Sequence, residues 1–264
     1  RRKGAARHEV AFPVLDHLSA RVQSFCSASR VWRKILLHQF VQPRILWAPR
    51  DPGWWIAITF ILGSVLFCVG AILPFTRGMS TATTNIVYLV GSSLYLVGAF
   101  IQFIQGRRMK INHRDDAFAM RRLANKNSRA AGIQALGALL FQTSMTGAFI
   151  RSLSIAQQEK IIWVPDLFGA LCFLIASSMF FTLRYPIQHR QGNGRSAREL
   201  AMMNIIGSAF FVISALGAYI VPLTDQSIYP QIANLGTFAG AVLFLLSSIP
   251  GLPAKPNSRT SPTP

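Results

Sequence analysis

The sequence has few charged residues and few cysteines. Only 14% of its 264 residues are Asp, Glu, Lys or Arg, whereas a soluble domain carries about 25%. The three cysteines, Cys26, Cys68 and Cys172, show no CxxC or other ligand spacing, so neither a disulfide framework nor a zinc site is predicted. No Asn-x-Ser/Thr acceptor for glycosylation occurs. These deficits exclude a disordered chain, a disulfide scaffold and an ordinary cytosolic domain.

Long apolar stretches are abundant instead. Hydrophobic residues make up 51% of the chain, and they are concentrated in six blocks that contain no charged side chain over most of their length. A helix needs about 20 apolar residues to cross the hydrocarbon core of a bilayer. A segment inside lipid must be helical here, because its backbone N–H and C=O groups can form hydrogen bonds only within the protein. The predicted helices are 54–73, 86–104, 131–150, 164–183, 204–221 and 232–249. The chain is therefore predicted to be an all-α membrane protein with six transmembrane helices.

The positive charge is distributed unevenly between the predicted spans. The formal net charge is +18, and 24 of the 27 Lys and Arg residues fall before the first span, in the second and fourth loops, and after the last span. This asymmetry follows the positive-inside rule and places both termini in the cytoplasm. It explains the basic composition without a nucleic-acid partner. The expected location is the plasma (cytoplasmic) membrane, as an integral multipass protein.

The two ends of the chain differ from the spans. Residues 1–53 are basic, and two groups of apolar residues in them recur at helical spacing. The second group is Trp32, Ile35, Leu36 and Phe40, with Arg30, Arg33 and Lys34 around it. Such a region is typical of an amphipathic helix that lies on anionic lipid, although a calmodulin-like partner could bind the same pattern. Residues 250–264, rich in Pro, Ser and Thr, are predicted to be disordered. Because the chain begins with Arg1, we expect a fragment or a processed form.

A short motif, Gly-[Ser/Ala]-x-x-[Phe/Tyr], occurs once in every predicted span. We call its first residue the key glycine; the six are Gly63, Gly91, Gly137, Gly169, Gly207 and Gly240. Seven residues after each key glycine comes another small residue, and these are Gly70, Gly98, Ser144, Ala176, Ser214 and Ser247. Six copies in six spans indicate an internal repeat. The spacing of the key glycines predicts three helical hairpins, 54–104, 131–183 and 204–249, with short outer turns.

The spacing of this motif has a direct physical meaning. Positions i, i+4 and i+7 lie on one face of a helix, and small residues there let a neighbouring helix approach closely while the ring fills the adjacent gap. The key glycines, together with Gly70 and Gly98, are therefore predicted to be helix-packing residues. The alternative is that some of these faces line a pore or cavity in which hydroxyl groups contact a solute.

Two copies of the motif resemble a known family. Residues 62–71 (LGSVLFCVGA) and 90–99 (VGSSLYLVGA) are similar to the YrhK-like membrane domain, a helical hairpin with a G-S-x-x-F-x-x-G core found in multipass bacterial proteins. The clearest match covers 54–104, and weaker copies continue to residue 249. The resemblance implies a membrane location and a helical fold. Because the family has no established activity, it supplies no catalytic residue.

Few residues remain as candidates for chemistry. No Lys, Arg, His, Asp or Glu lies in the middle of a predicted span, which argues against proton pumps and voltage sensors. Gln142, Ser144 and Thr146 make span three unusually polar; they are predicted to bond between helices, or alternatively to contact a solute. Asp166 follows Trp163, Val164 and Pro165. A proline followed by an acid predicts the start of a helix, where the helix dipole favours a negative charge. A cation-attracting outer vestibule is the alternative.

No arrangement of residues indicates an enzyme. Neither a nucleophile with a base nor a pair of carboxylates is visible, and no cofactor or metal site is predicted. The segment 192–197 matches GxGxxA by its letters, but it follows a membrane helix rather than a strand. The preferred hypothesis is a non-enzymatic structural or regulatory membrane bundle that contacts anionic lipid at its cytoplasmic face. The alternative is a transporter or channel for a small neutral solute. Formation of a homo-oligomer is left open.

Overall fold

The computed structural model describes residues 46–108, 117–150, 152–182, 194–221 and 226–253. All of them belong to one compact unit, Arg44–Pro264. Most of the predicted amphipathic region, up to residue 45, and nearly all of the predicted disordered tail, from residue 254, lie outside the described residues.

The described chain is almost entirely helical. Its long helices are α1 Pro52–Ile72, α2 Thr81–Arg108, α3 Ala117–Gly147, α5 Val164–Thr182, α6 Gly194–Gly217 and α7 Pro230–Ser248, and a single turn, α4 Ile155–Gln158, precedes α5. Short 3-10 helices, Leu73–Phe75 and Ile249–Gly251, follow α1 and α7. Two-residue strands, β1 Ile220–Val221 and β2 Gln226–Ser227, pair antiparallel between α6 and α7.

Local sequence explains where α1 begins. Asp51 precedes the helix and its carboxylate accepts a hydrogen bond from the Gly53 N–H at 2.8 Å, while Pro52 occupies the first helical position. An acidic cap and a proline at this position both favour a helix N-terminus, because the proline has no N–H to leave unpaired. Pro230 occupies the same position in α7.

The helices have the composition of membrane-spanning segments. Five segments are long and apolar enough to cross a membrane: Pro52–Phe75, Thr81–Arg108, Ile155–Thr182, Glu199–Gly217 and Pro230–Gly251. The helix α3 is not among them, since its apolar half carries the polar residues of span three. Large apolar side chains such as Leu62, Phe168 and Leu235 are 47%, 55% and 62% exposed, as expected for surfaces that face lipid. The prediction of an all-α membrane fold is confirmed at this level.

The six long helices form a closed ring. Each helix packs against the next one along the chain, in the order α1, α2, α3, α5, α6 and α7, and α7 packs against α1 to close the ring. The contacts are largest within the pairs α1–α2, α3–α5 and α6–α7. The two helices in each of these pairs are consecutive long helices of the chain.

The predicted span 164–183 agrees with α5 Val164–Thr182, but the N-terminus of the helical segment does not lie near Trp163. The helical path begins at Ile155, after Ser154, whose N–H donates to Gln157 Oε1 at 2.9 Å. It passes through a π-helical segment, Glu159–Trp163, and continues without a break into α5, so that Ile155–Thr182 is one helical segment of 28 residues. Pro165 lies inside this segment; its missing N–H removes a helical hydrogen bond, and the π turn lies directly before it.

Asp166 therefore has a different position from the one expected. It lies well inside a continuous helical segment rather than at its N-terminus. Asp166 is the third residue of α5 and near one end of the predicted span 164–183, so the expectation about the middle of the spans is unaffected. Because the helical path continues upstream of α5, the carboxylate does not lie at a free helix N-terminus, where the helix dipole would favour it.

Candidate functional site

Aromatic rings fill the centre of the helical ring. We call the six motif aromatics the aromatic cluster; they are Phe67, Tyr95, Phe141, Phe173, Phe211 and Phe244, one from each long helix. None of them is more than 8% exposed. Their ring centroids are 5.4 to 6.1 Å apart in the contacting pairs, in tilted and edge-on arrangements. Such geometry is favourable for aromatic pairs and leaves a dense apolar centre.

The key glycines bring the two helices of each pair into close contact. A Cβ atom added to Gly63 would lie 2.7 Å from the Tyr95 ring and 3.1 Å from the Gly91 carbonyl oxygen. A Cβ atom added to Gly91 would in turn lie 3.1 Å from the Phe67 ring. Gly137 and Gly169 show the same reciprocal contact, with 3.0 and 3.1 Å to each other's carbonyl oxygen. Each key glycine thus provides the space in which the partner helix and its ring are packed.

Gly70 and Gly98 also lie at helix contacts. A Cβ atom on Gly70 would lie 2.7 Å from the Tyr88 ring, and one on Gly98 would lie 2.5 Å from Thr59 Oγ1. All eight glycines that the sequence singles out in the spans are therefore placed between helices.

The residue after each key glycine is completely buried. These residues are Ser64, Ser92, Ala138, Ala170, Ser208 and Ala241, each with 0% exposure. The Ser64 hydroxyl lies 2.6 Å from the Tyr95 hydroxyl, so the polar end of the only tyrosine in the aromatic cluster is paired. Sequence reasoning identified the motif but did not identify this bond.

Gln142 is engaged between α2 and α3. Its Oε1 atom lies 2.7 Å from Ser92 Oγ and 3.3 Å from Ser93 Oγ. Thr146, four residues later, is exposed on α3, and its hydroxyl donates to the Gln142 carbonyl oxygen at 2.8 Å. The structure therefore places Gln142 in a contact between helices and Thr146 on the outer surface of the bundle.

Ser144 and Asp166 are different, because they have no polar partner. Ser144 has 0% exposure, and within the described residues its hydroxyl forms no hydrogen bond. Asp166 is partly buried, and both Asp166 and Tyr88 of α2 stand seven residues before a ring of the aromatic cluster, Phe173 and Tyr95 respectively. No hydrogen bond or ion pair joins the Asp166 carboxylate to another described residue. Ser144 Oγ and Gln102 Oε1 are the two buried side-chain atoms without a hydrogen-bond partner in the described part of the chain, and Asp166 is a partly buried acid without an ion pair there.

Other polar pairs join the helices, and the sequence did not predict them. Ser214 of α6 lies 2.7 Å from Thr237 Oγ1 of α7. Ser247 donates to Asn204 Oδ1 across the same helix pair. The available signal was that Ser214 and Ser247 both stand seven residues after a key glycine, on the packing face.

Few side chains that bind metal ions lie near one another. In the part of the chain that the structure describes, no group of three or more His, Cys, Asp or Glu side chains could hold a metal ion. Within the described residues, the aromatic cluster fills the centre of the helical ring, and the Ser144 hydroxyl is buried without a hydrogen-bond partner.

These features define an all-α protein whose long apolar helices are typical of a membrane protein. A family model described as YrhK-like protein matches residues 158–223, about a quarter of the chain. The predicted resemblance to the YrhK-like family is thereby confirmed. The match includes the whole π-helical segment, α5 and α6, whereas the sequence resemblance is clearest at 54–104. Neither the curated proteins nor the solved structures include one that matches the chain.

Proposed function

We propose that the protein is a multipass membrane protein whose six long helices all cross the bilayer, with both ends in the cytoplasm. The distribution of Lys and Arg supports this orientation. The sixth crossing, by α3, is supported by its packing: Gly137 lies against Gly169, and Phe141 lies in the aromatic cluster with rings from the other five helices. These contacts support a position of the apolar C-terminal half of α3 at the same depth as the motif glycines and rings of its neighbours.

We propose further that the bundle has a structural or regulatory role and is not an enzyme. The observation that carries this proposal is the aromatic cluster, which occupies the centre of the helical ring. A solute moving along the axis of the ring would have to separate rings whose centroids are about 6 Å apart. Packed cores resist such changes, because lost contacts are not replaced.

The contacts of Gln142 favour the structural proposal over the alternative of a transporter for a small neutral solute. That hypothesis relied on the polar residues of span three, and Gln142 lies within bonding distance of Ser92 and Ser93. The broken helix that would favour such a site is absent from α3, which is continuous over Ala117–Gly147 in the described chain.

Anionic lipid is the proposed partner at the cytoplasmic face. Arg107 and Arg108 are exposed in the last turn of α2, where cations are favoured by the helix dipole. Near the start of α1 the Trp54 and Trp55 indole N–H groups donate to the carbonyl oxygens of Leu46 and Pro49, both at 3.0 Å. Tryptophan is enriched at membrane interfaces, and basic residues beside it attract anionic headgroups.

Lipid-dependent stability tests this proposal. The full chain in detergent is expected to unfold at a higher temperature with phosphatidylglycerol than with phosphatidylcholine. Replacing both Arg107 and Arg108 by Gln should reduce that difference, since each basic residue near the surface contributes about 1 kcal/mol to anionic-lipid binding. Arg77→Gln, in the exposed loop after α1, is the control and should leave the difference unchanged. An equal response to both lipids would contradict the proposal.

A further inference from the structure

The internal repeat places two positions side by side in each helix pair. One position is seven residues after the key glycine of the first helix, and the other is three residues before the key glycine of the second helix. In α1–α2 these are Gly70 and Tyr88, and a Cβ atom on Gly70 would lie 2.7 Å from the Tyr88 ring. In α6–α7 they are Ser214 and Thr237, whose hydroxyl oxygens are 2.7 Å apart.

The middle pair, α3–α5, has Ser144 and Asp166 at these two positions. The equivalence is supported by nearby contacts: a Cβ atom on Gly147 would lie 2.8 Å from Ile161, just as one on Gly217 would lie 3.4 Å from Ile232. The repeat therefore places the Ser144 hydroxyl toward the Asp166 carboxylate. Both lie on the side of the aromatic cluster that faces the α1–α2 loop.

This pair is uncompensated, whereas the equivalent polar pair in α6–α7 is bonded. Ser144 is fully buried and its hydroxyl has no hydrogen-bond partner within the described residues. Asp166 forms no ion pair with any described side chain. Tyr88 and Asp166 each stand seven residues before a ring of the aromatic cluster, Tyr95 and Phe173 respectively, and the centroids of those two rings are 6.1 Å apart. The same helical spacing therefore brings the Tyr88 phenol toward the Asp166 carboxylate. An ionised carboxylate removed from water is strongly unfavourable unless an opposite charge accompanies it. A polar group inside a membrane bundle is by itself an indication of a functional site.

Backbone carbonyl groups of the π-helical segment are a third kind of oxygen close in sequence to Asp166. Pro165 has no N–H to donate to a carbonyl oxygen of the turn before it. Single π turns in helices frequently occur at functional sites. Carboxylate, hydroxyl and carbonyl oxygens are the ligands that hard cations prefer.

We infer that Asp166, Ser144 and Tyr88 form a binding site for one small monovalent cation of the alkali series. The single carboxylate balances one positive charge, whereas divalent calcium or magnesium sites usually combine several carboxylates. The bound cation would join α2, α3 and α5 at the end of the bundle that carries the α1–α2 loop. This inference does not depend on the proposed structural role, because the site would exist whether or not the cation moves across the membrane.

The test is the thermal unfolding of the purified full chain in detergent at mildly alkaline pH. Sodium, lithium or potassium chloride replaces N-methyl-D-glucamine chloride at constant ionic strength. At least one alkali cation should raise the unfolding midpoint by about 5 °C or more once it is well above its dissociation constant. Equilibrium binding of radioactive sodium, or of a potassium analogue if potassium is preferred, should give one bound ion per chain.

Variants locate the site. Asp166→Asn should abolish the cation response, and Ser144→Ala should weaken it. Two matched controls should keep it: Glu159→Gln removes a carboxylate from the π-helical segment, and Ser214→Ala removes the equivalent hydroxyl of the α6–α7 pair.

Several results would overturn the inference. An unfolding midpoint of the unaltered protein that is the same in all salts would do so, and this measurement needs no variant to fold. A cation response that persists in Asp166→Asn would place the ion elsewhere. Stabilisation by calcium or magnesium alone would rule out a monovalent site. If Asp166→Asn raised the unfolding midpoint and neither protein responded to cations, Asp166 would be protonated in the native protein and would bind no cation.

Discussion

Gly207 of α6 and Phe244 of α7 are packed so closely that a Cβ atom on Gly207 would lie 2.9 Å from Cδ2 of the Phe244 ring. Gly240 and Phe211 repeat this relationship in the opposite direction, at 3.1 Å. The same reciprocal contact joins the helices of the other two pairs. A motif of five residues, used six times, thus determines both how the helices pair and what fills the centre of their ring.

The first prediction concerns a key glycine. Gly63→Leu should destabilise the protein by about 1–3 kcal/mol or more, because the new side chain would overlap the Tyr95 ring and the Gly91 backbone. Equilibrium unfolding of the purified protein in mixed micelles measures the change. Val65→Leu, at a position 40% exposed on the same helix, is the control and should have little effect. If the two variants were equally stable, close packing at the key glycines would not be required.

The second prediction concerns the aromatic cluster. Phe173→Ala should lower the free energy of unfolding by about 3–5 kcal/mol, since it leaves a cavity among rings that are in contact with each other. Phe168→Ala removes the same side chain from a position of the same helix that is 55% exposed. It should cost much less in the same unfolding measurement. Similar losses for both variants would show that Phe173 is not part of a closely packed centre.

The third prediction concerns a polar contact between helices. A double-mutant cycle with Ser214→Ala and Thr237→Val should give a coupling energy of about 0.6 kcal/mol, the average for such bonds in a membrane bundle. The measured quantity is the difference between the double variant and the sum of the single variants in unfolding free energy. A coupling energy indistinguishable from zero would indicate that the two hydroxyl groups do not bond to each other.

The fourth prediction concerns orientation in the membrane. In a protein whose native cysteines are replaced by serine, Ser80→Cys in the exposed α1–α2 loop should react with a membrane-impermeant maleimide added outside intact cells. Arg107→Cys, exposed at the other end of α2, should react only after the membrane is opened. The physical reason is the concentration of Lys and Arg on the Arg107 side. The reverse labelling pattern would contradict the proposed cytoplasmic termini.

Apolar blocks and the repeated motif predict much of this fold. The predicted span 54–73 and the helix Pro52–Ile72 agree within two residues. The helix α3 begins at Ala117 rather than near 131, because hydropathy detects the part of a helix that suits lipid and not its polar extension. The order of helices around the ring depends on contacts between distant residues, which no local pattern contains.

The candidate site was harder to predict for an equally specific reason. A proline followed by an acid is a good signal for a helix start, and Pro165 and Asp166 fit it. The structure instead continues the helix backwards through a π turn to Ile155. The sequence therefore named Asp166 and Ser144 as polar candidates but could not show that both lack partners inside the bundle.

The most direct test of the proposed function is the permeability of vesicles that contain the protein. Stopped-flow light scattering follows how fast glycerol and urea enter proteoliposomes and protein-free liposomes of the same lipid. Because the aromatic cluster occupies the centre of the ring, the account predicts equal rates for both kinds of vesicle. A faster, saturable entry into the proteoliposomes would contradict a closed, non-transporting bundle and would favour the transporter alternative.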